Sequence, residues 1–210
     1  MAEAAGHDAQ KKTAYASEQD RPDILRRRRA WFEGQLDLDP ERLVFVDETG
    51  ASTKMARLYG RALRGERCRS GVPHGHWKTT TFTAGLRLTG FTAPMVLDGP
   101  MRGEVFRAWT EQFLAPTLSA GDRGDHGQPA HKVTGVREAI EQAGARLLYL
   151  PPYSPDFNPI ENAFAKLKAL LRKAAARTID ELWTTIGQSL ATFCPAECAN
   201  YFKAAEYEPV

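Results

Sequence analysis

ARLLYLPPYSPDFNPIENAFAKLKALLRKAAAR, residues 145–177, decides how the chain is read. Its first six residues are a short apolar run of strand length. Pro151, Pro152, Pro155 and Pro159 follow within nine residues; each fixes its own φ and restricts the residue before it, so the path onward is stiff. From Pro159 the spacing turns helical. Ile160, Phe164, Leu167 and Leu171 form an apolar stripe, Pro159 suits a first helical turn, and Asn158 can cap it. Glu161 thereby stands in the first turn of a helix, where a negative charge is favourable. Glu161, Lys168 and Arg172 recur at i, i+7 and i+11, so a carboxylate shares one helical face with two cations, away from the core stripe.

Upstream, RLVFVDET (42–49) is a β-branched and aromatic run ending in two carboxylates, and predicts a buried strand presenting Asp47 at its C-terminal end. WKTTTFTAGL (77–86) and FTAPMVLDG (91–99) predict two further strands in an antiparallel meander, the last nearer an edge because Pro94 cannot donate to a ladder. Val105, Phe106, Trp109, Phe113 and Leu114 predict a helix between Arg102 and Leu118. Val133, Val136, Ile140 and Ala143 predict another, ended by Gly144. Two helices, about 178–193 and 195–203, complete the chain. Residues 1–40 read as a linker or arm with one short helix around Ile24 to Phe32, 41–205 as the folded domain, and 206–210 as a tail. Strands first, then alternation, then helices indicate a mixed α+β (α/β) architecture, a central mixed sheet flanked by helices.

With 210 residues and 42% apolar content, the chain suffices for one buried core. Its three cysteines, Cys68, Cys194 and Cys198, support neither a disulfide framework nor a structural zinc site. No run of eighteen apolar residues exists and MAEAAGHDAQKK has no apolar core, so neither a membrane span nor a secretory signal is expected, and the protein reads as cytoplasmic. The net charge of +2 is unevenly spread. Lys54, Arg57, Arg61, Arg64, Arg67, Arg69 and Lys78 face a single acid, Glu66, between residues 54 and 78; Arg26 to Arg29 and Lys166 to Arg177 form two more basic blocks. Three such blocks point to a polyanion partner. Carboxylates beside phosphate-binding cations suit phosphodiester chemistry, in which they hold divalent ions.

The stretch from Gly135 to Arg177, with LVFVDETG (43–50) and APMVLDGPM (93–101), closely resembles the DDE transposases of bacterial insertion sequences in the mariner-like superfamily. The resemblance runs from about residue 14 to the C-terminus, and LPPYSPDFNPIE (150–161) is its most specific block. It implies an RNase H-like fold and a two-metal site of Mg2+ or Mn2+, in which water nicks DNA at an element's ends and the freed 3′ hydroxyl attacks target DNA. It further implies DNA as partner, a homodimer or pairing with an intact transposase, and a place in the bacterial cytosol with the nucleoid. Asp47 matches the family's first catalytic Asp and Glu161 its catalytic Glu, both metal ligands. Arg57, Arg61, Arg64, Lys78, Lys132, Lys168 and Arg172 are the candidate DNA contacts.

Two departures stand out. The second catalytic Asp of the family ends a strand of the type Val-Val-Ile-Met-Asp-Asn-Leu shortly before a His-Lys pair. Counting back from His131-Lys132 and from Glu161 reaches position 126, which is a histidine. GDRGDHGQPAHK (121–132) has no β-branched run and reads as a loop, so a central strand near 121–128 is expected to be damaged. Asp125, and less directly Asp122, are the nearest substitutes for the missing ligand; His126 suits magnesium badly. Codons for Arg123 to Pro129, read one base later, permit Val-Val-Ile-Met-Asp-Asn-Leu, compatible with a local frameshift. The second departure is that about forty N-terminal residues cannot hold the family's helix-turn-helix reader, so the chain is expected to be a catalytic domain without its sequence reader, impaired because the second catalytic Asp is displaced or lost; the alternatives are a non-catalytic DNA-binding or interfering fragment, or a decayed remnant.

The remaining conspicuous residues have plainer readings. His74 and His76 read as loop residues, Cys194 and Cys198 as small buried hydrophobes, the four tryptophans as packing residues, and Tyr153 and Phe157 as packing around the proline-rich turn.

Overall fold

The computed structural model describes residues 16–57, 59–72, 74, 77–126 and 134–208, the side chains of 125 and 126 excepted. Helix α1 (Pro22–Gln35) precedes strand β1 (Leu43–Ser52), which pairs antiparallel with β2 (Thr79–Arg87) and through it with β3 (Gly90–Asp98). Helix α2 (Gly103–Trp109) widens over Thr110–Leu114 and ends in a tight turn at Ala115–Thr117. Then come β4 (Arg123–His126), α3 (Val136–Gln142), β5 (Arg146–Tyr149), α4 (Pro159–Ala174), α5 (Ile179–Leu190) and α6 (Pro195–Ala204). The sheet order is β3-β2-β1-β4-β5, with β4 and β5 parallel to β1. Pro94 lies on the edge strand, as its missing donor requires.

Alternation along β1 divides the molecule into two cores. Leu43 and Phe45 pack with Phe82, Leu86, Phe164, Leu167 and Phe202 against α4, α5 and α6. Val44 and Val46 face the other way, with Phe106, Trp109, Ile140 and Leu147 under α2 and α3. This is the mixed sheet with helices on both faces that the hydrophobic pattern dictates. Gly85 lies at an irregularity in the β2–β3 pairing, and a Cβ there would come within 2.8 Å of Val44 Cγ1, so the close approach demands glycine.

The segment expected to be a loop is in part a strand. Arg123–His126 forms β4 between β1 and β5, with Leu43 level with Arg123 and Val46 with His126. Strand formation there rests on main-chain pairing to two neighbours, which β propensity cannot register. Of the β4 side chains only that of Arg123 is described, and neither core includes it, while a Cβ built on buried Gly124 would meet nothing within 4 Å.

Residues 16–40 pack on the sheet domain. Ile24 and Gln35 are buried, the Trp31 indole donates to Tyr207 Oη, and Gln35 Nε2 donates to the carbonyls of Ala205 and Glu206. Tyr207 is itself 1% exposed and packs against Phe45. Of the tryptophans, Trp109 is core and Trp183 donates to Thr80 Oγ1, whereas Trp77 departs from the packing expectation: it is 51% exposed, with Lys54 Nζ 3.9 Å from its ring centre. Cys198 is buried as expected but Cys194 is exposed, because it precedes α6 outside the apolar stripe. His74 is an exposed loop residue, while His76 lies outside the described residues.

Candidate active site

Asp47 belongs to the β1 face that carries Leu43 and Phe45, and so faces α4. The expectation that it ends its strand needs correction. β1 runs on to Ser52 against β2, and what stops beside Asp47 is the described pairing with β4, whose last pair is Val46 with His126. Asp47 is 4% exposed. Its Oδ1 accepts from the Glu48 amide at 2.8 Å and its Oδ2 from Asn158 Nδ2 at 2.9 Å.

The proline-rich turn does what its stiffness promises. Pro155–Phe157 is a tight helical turn, closed by Phe157 N–H to the Ser154 carbonyl and Asn158 N–H to the Pro155 carbonyl. Tyr153 sits at φ 58°, a region costly for a side chain other than glycine, and its carbonyl accepts from Gln19 Nε2. Arg28 reaches from α1 to Ser154 Oγ and to both Asp156 oxygens, with its guanidinium 4.7 Å from the Phe157 ring centre. Tyr207 Oη donates to the Phe157 carbonyl. The turn is thus held from both sides before it delivers Glu161 in the first turn of α4.

Asp47, Asn158 and Glu161 line one cleft of about 140 Å³ together with Tyr153 and Ser154. Burial pushes the Asp47 carboxyl up to about 7; the nearby charges of Glu161 and Glu48 add to this, while the hydrogen bonds from Glu48 and Asn158 oppose it. Two carboxyl groups, one buried and repelled by the other, fit a divalent cation, whose charge offsets the repulsion and whose preference is for hard oxygen ligands.

The third expected ligand is not brought to them by the described residues. Asp125 lies in β4 level with Phe45, and its side chain, like that of His126, is outside what is described. Asp122, the other substitute, is taken: Arg87 Nη2 sits 2.6 Å from its Oδ2, which also accepts from the Ser119 amide. Burial would raise its pKa, but these partners hold it below the usual carboxylate value. Among the described residues no group of three or more His, Cys, Asp or Glu side chains could hold a metal ion.

The candidate DNA contacts fall into two groups. Arg57, Arg61, Arg64 and Lys78 are exposed on the long connection between β1 and β2, while Lys168 and Arg172 are half-buried on α4 with Glu161. Lys132 lies outside the described residues. Sequence reasoning missed Asn158, which was expected to cap α4 and instead bonds Asp47; no local signal separates these roles, because the partner is 111 residues away.

The sequence matches the family of DDE superfamily endonucleases over residues 42–183. No curated protein matches it. Among solved structures, the chain is similar to the Mos1 strand transfer complex at 17% identity and a TM-score of 0.74, covering 96% of this chain and 63% of that one. It is similar to the Mos1 mariner paired end complex with Mn at 16% identity and a TM-score of 0.75, covering 96% and 64%. Against the Mos1 transposase catalytic domain with raltegravir and Mg the figures are 16%, 0.63, 90% and 91%. The chain therefore spans just under two thirds of the first two proteins and nearly all of the catalytic domain, with which it shares the RNase H-like fold. No described helix is long and apolar enough to cross a membrane. The matched region runs from the start of β1, through both carboxylates of the cleft, into α5, and on that match the chain belongs to the DDE superfamily endonucleases.

Proposed function

We propose that the chain is the catalytic domain of a DNA transposase of the insertion-sequence, mariner-like kind, and that its catalysis is impaired because the second catalytic Asp is displaced or lost. The observation that carries the transposase reading is the convergence of buried Asp47 and first-turn Glu161 on one cleft; the impairment rests on the sequence, which has His126 where the second catalytic Asp is expected. Asp47 and Glu161 would hold Mg2+ or Mn2+, with Asp125 the nearest candidate for a third ligand. Bound ions of this kind activate a water or hydroxyl and stabilise the leaving oxygen of a phosphodiester. The chain's own groups supply placement. Asp47 offers a carboxylate where water barely reaches, Glu161 is fixed by a braced turn, and Lys168 and Arg172 share its helical face to take phosphate. Arg57, Arg61, Arg64, Lys78 and Lys132 extend this contact along the duplex.

In this reading residues 41–205 are the catalytic unit, 1–40 a linker whose α1 docks on it, and 206–210 a tail. It acts on element ends and target DNA in the bacterial cytosol, as a homodimer or paired with an intact transposase. Structures of Mos1 complexes with paired ends, Mn and Mg lend support. The test is magnesium- or manganese-dependent nicking of labelled duplex DNA by this chain and by one with Val-Val-Ile-Met-Asp-Asn-Leu at 123–129. That replacement puts an Asp at 127, directly after the last residue of β4. Activity only after replacement is the expected result. Equal activity in both would show that Asp125 or His126 completes the site, and no activity in either would overturn the roles given to Asp47 and Glu161.

The exposed basic connection between β1 and β2 favours a second reading, a non-catalytic DNA-binding or interfering fragment. A gel shift that survives both Asp47→Ala and Glu161→Ala, with no nicking after replacement of 123–129, would establish it.

A further inference from the structure

Asn158 occupies the position before α4 where an asparagine side chain ordinarily accepts from a first-turn amide, yet it makes no such bond. The amide it would serve, that of Glu161, is instead bonded to the main-chain carbonyl of Asn158 at 3.1 Å. The side chain is released from capping. Its Nδ2 donates to Asp47 Oδ2 at 2.9 Å inside the fold, and its Oδ1 is buried with no partner among the described residues. Capping would have satisfied that oxygen, so the fold leaves a polar atom unpaired to keep the bond to Asp47. With the Glu48 amide on Oδ1, both oxygens of Asp47 are fixed.

We propose that Asn158 is a positioning residue that orients the Asp47 carboxylate toward Glu161 across the cleft. The same rigid turn then sets both carboxylates: Asn158 is fixed by its own amide on the Pro155 carbonyl and by Pro159 after it, and Glu161 follows three residues later. Any shift of the turn moves Glu161 and the donor to Asp47 together, which preserves their spacing. This inference rests on the reading of Asp47 and Glu161 as cation ligands.

The test is Mn2+ binding to the full chain, followed by electron paramagnetic resonance, for the unaltered protein and for Asn158→Ser, Asp47→Ala and the double variant. Serine caps helices as well as asparagine, so a merely structural role would leave Mn2+ affinity untouched. The expected result is a chain that still folds cooperatively in chelator, affinity weakened about tenfold, as for other groups that orient metal ligands, and no further loss when Asn158→Ser is added to Asp47→Ala. If the serine variant fails to fold, Asn158→Thr is titrated in its place. Full affinity in the folded serine or threonine variant, with binding abolished by Asp47→Ala, would overturn the role of Asn158 and leave the cation site standing. Absence of Mn2+ binding in the unaltered chain would overturn both.

Discussion

Asp47→Asn should stabilise the metal-free protein, and by an amount that grows with pH. The Asp47 carboxyl is raised from 3.8 to about 7 by burial first, with the charges of Glu161 and Glu48 adding to it. Folding therefore favours its neutral form. The stability this brings is fully present below about pH 4, where the unfolded chain is protonated too, and is lost as pH rises through the folded value near 7. The difference between 3.8 and about 7 corresponds to about 4 kcal/mol by pH 8. Asparagine has the same shape and never ionises. It also finds partners: it can keep the Glu48 amide on its carbonyl, and a rotation of the Asn158 amide would turn the unpaired Oδ1 toward its new NH2. In urea titrations with chelator present, the variant should match the parent near pH 4 and exceed it by several kcal/mol at pH 8, a gain in melting temperature on the order of 10 °C for a domain of this size. A gap that is the same at both pH values would refute the claim that burial and Glu161 hold Asp47 neutral.

Three further outcomes follow from particular contacts. Gly124→Ala should raise stability by about 0.5 to 1 kcal/mol, measured as a higher urea midpoint, because the strand glycine gives up chain entropy and its Cβ would enter open space. Arg87→Ala leaves buried Asp122 without its cation and should cost about 3 to 5 kcal/mol in the same assay, part of it recovered by adding Asp122→Asn. Arg28→Ala removes a bond to Ser154, a stack on Phe157 and a half-exposed pair with Asp156, so a loss of about 1 to 2 kcal/mol is expected, with faster amide exchange confined to residues near 152–158.

What could be read from sequence was what depends on local repetition. The alternation of RLVFV and the stripe of Ile160, Phe164, Leu167 and Leu171 are periodic, and both cores are assembled from them. Glu161 was legible because prolines announce a rigid turn. Features set by distant partners were not. Arg123-Gly-Asp-His has no strand-forming character of its own and becomes a strand because β1 and β5 offer main-chain groups on either side. Asn158 looked like a cap because residue type and position say so, and only the folded chain brings Asp47 within reach. Helix α1 lacks a strong apolar stripe and read as an arm, since its attachment runs through Arg28 to the proline-rich turn and through Trp31 and Gln35 to Tyr207 and the carbonyls of Ala205 and Glu206, and hydropathy counts those three α1 side chains as polar or ambiguous.

The same contrast explains how the sheet can hold a strand as poor in apolar residues as Arg123-Gly-Asp-His. A central strand contributes two separable things, main-chain hydrogen bonds to its neighbours and side chains to the cores on its two faces. At β4 the first is intact along all four residues on both sides. Of the second, only Arg123 and Gly124 are described, neither belongs to a core, and a Cβ on Gly124 would meet nothing within 4 Å. A central strand without apolar side chains forgoes several kcal/mol of burial, comparable to the roughly 5 to 15 kcal/mol that stabilises a whole domain. Two aromatic groups bear on that balance, Phe45 with Phe202 and Tyr207, and Phe82 with Phe91 and Phe164, because they close the α4 face through β1, β2, β3, α4 and α6. Asp47 and Glu161 both belong to that face. Their placement therefore rests on contacts of β1 and α4, so the cleft is where replacement of residues 123–129 should be read out.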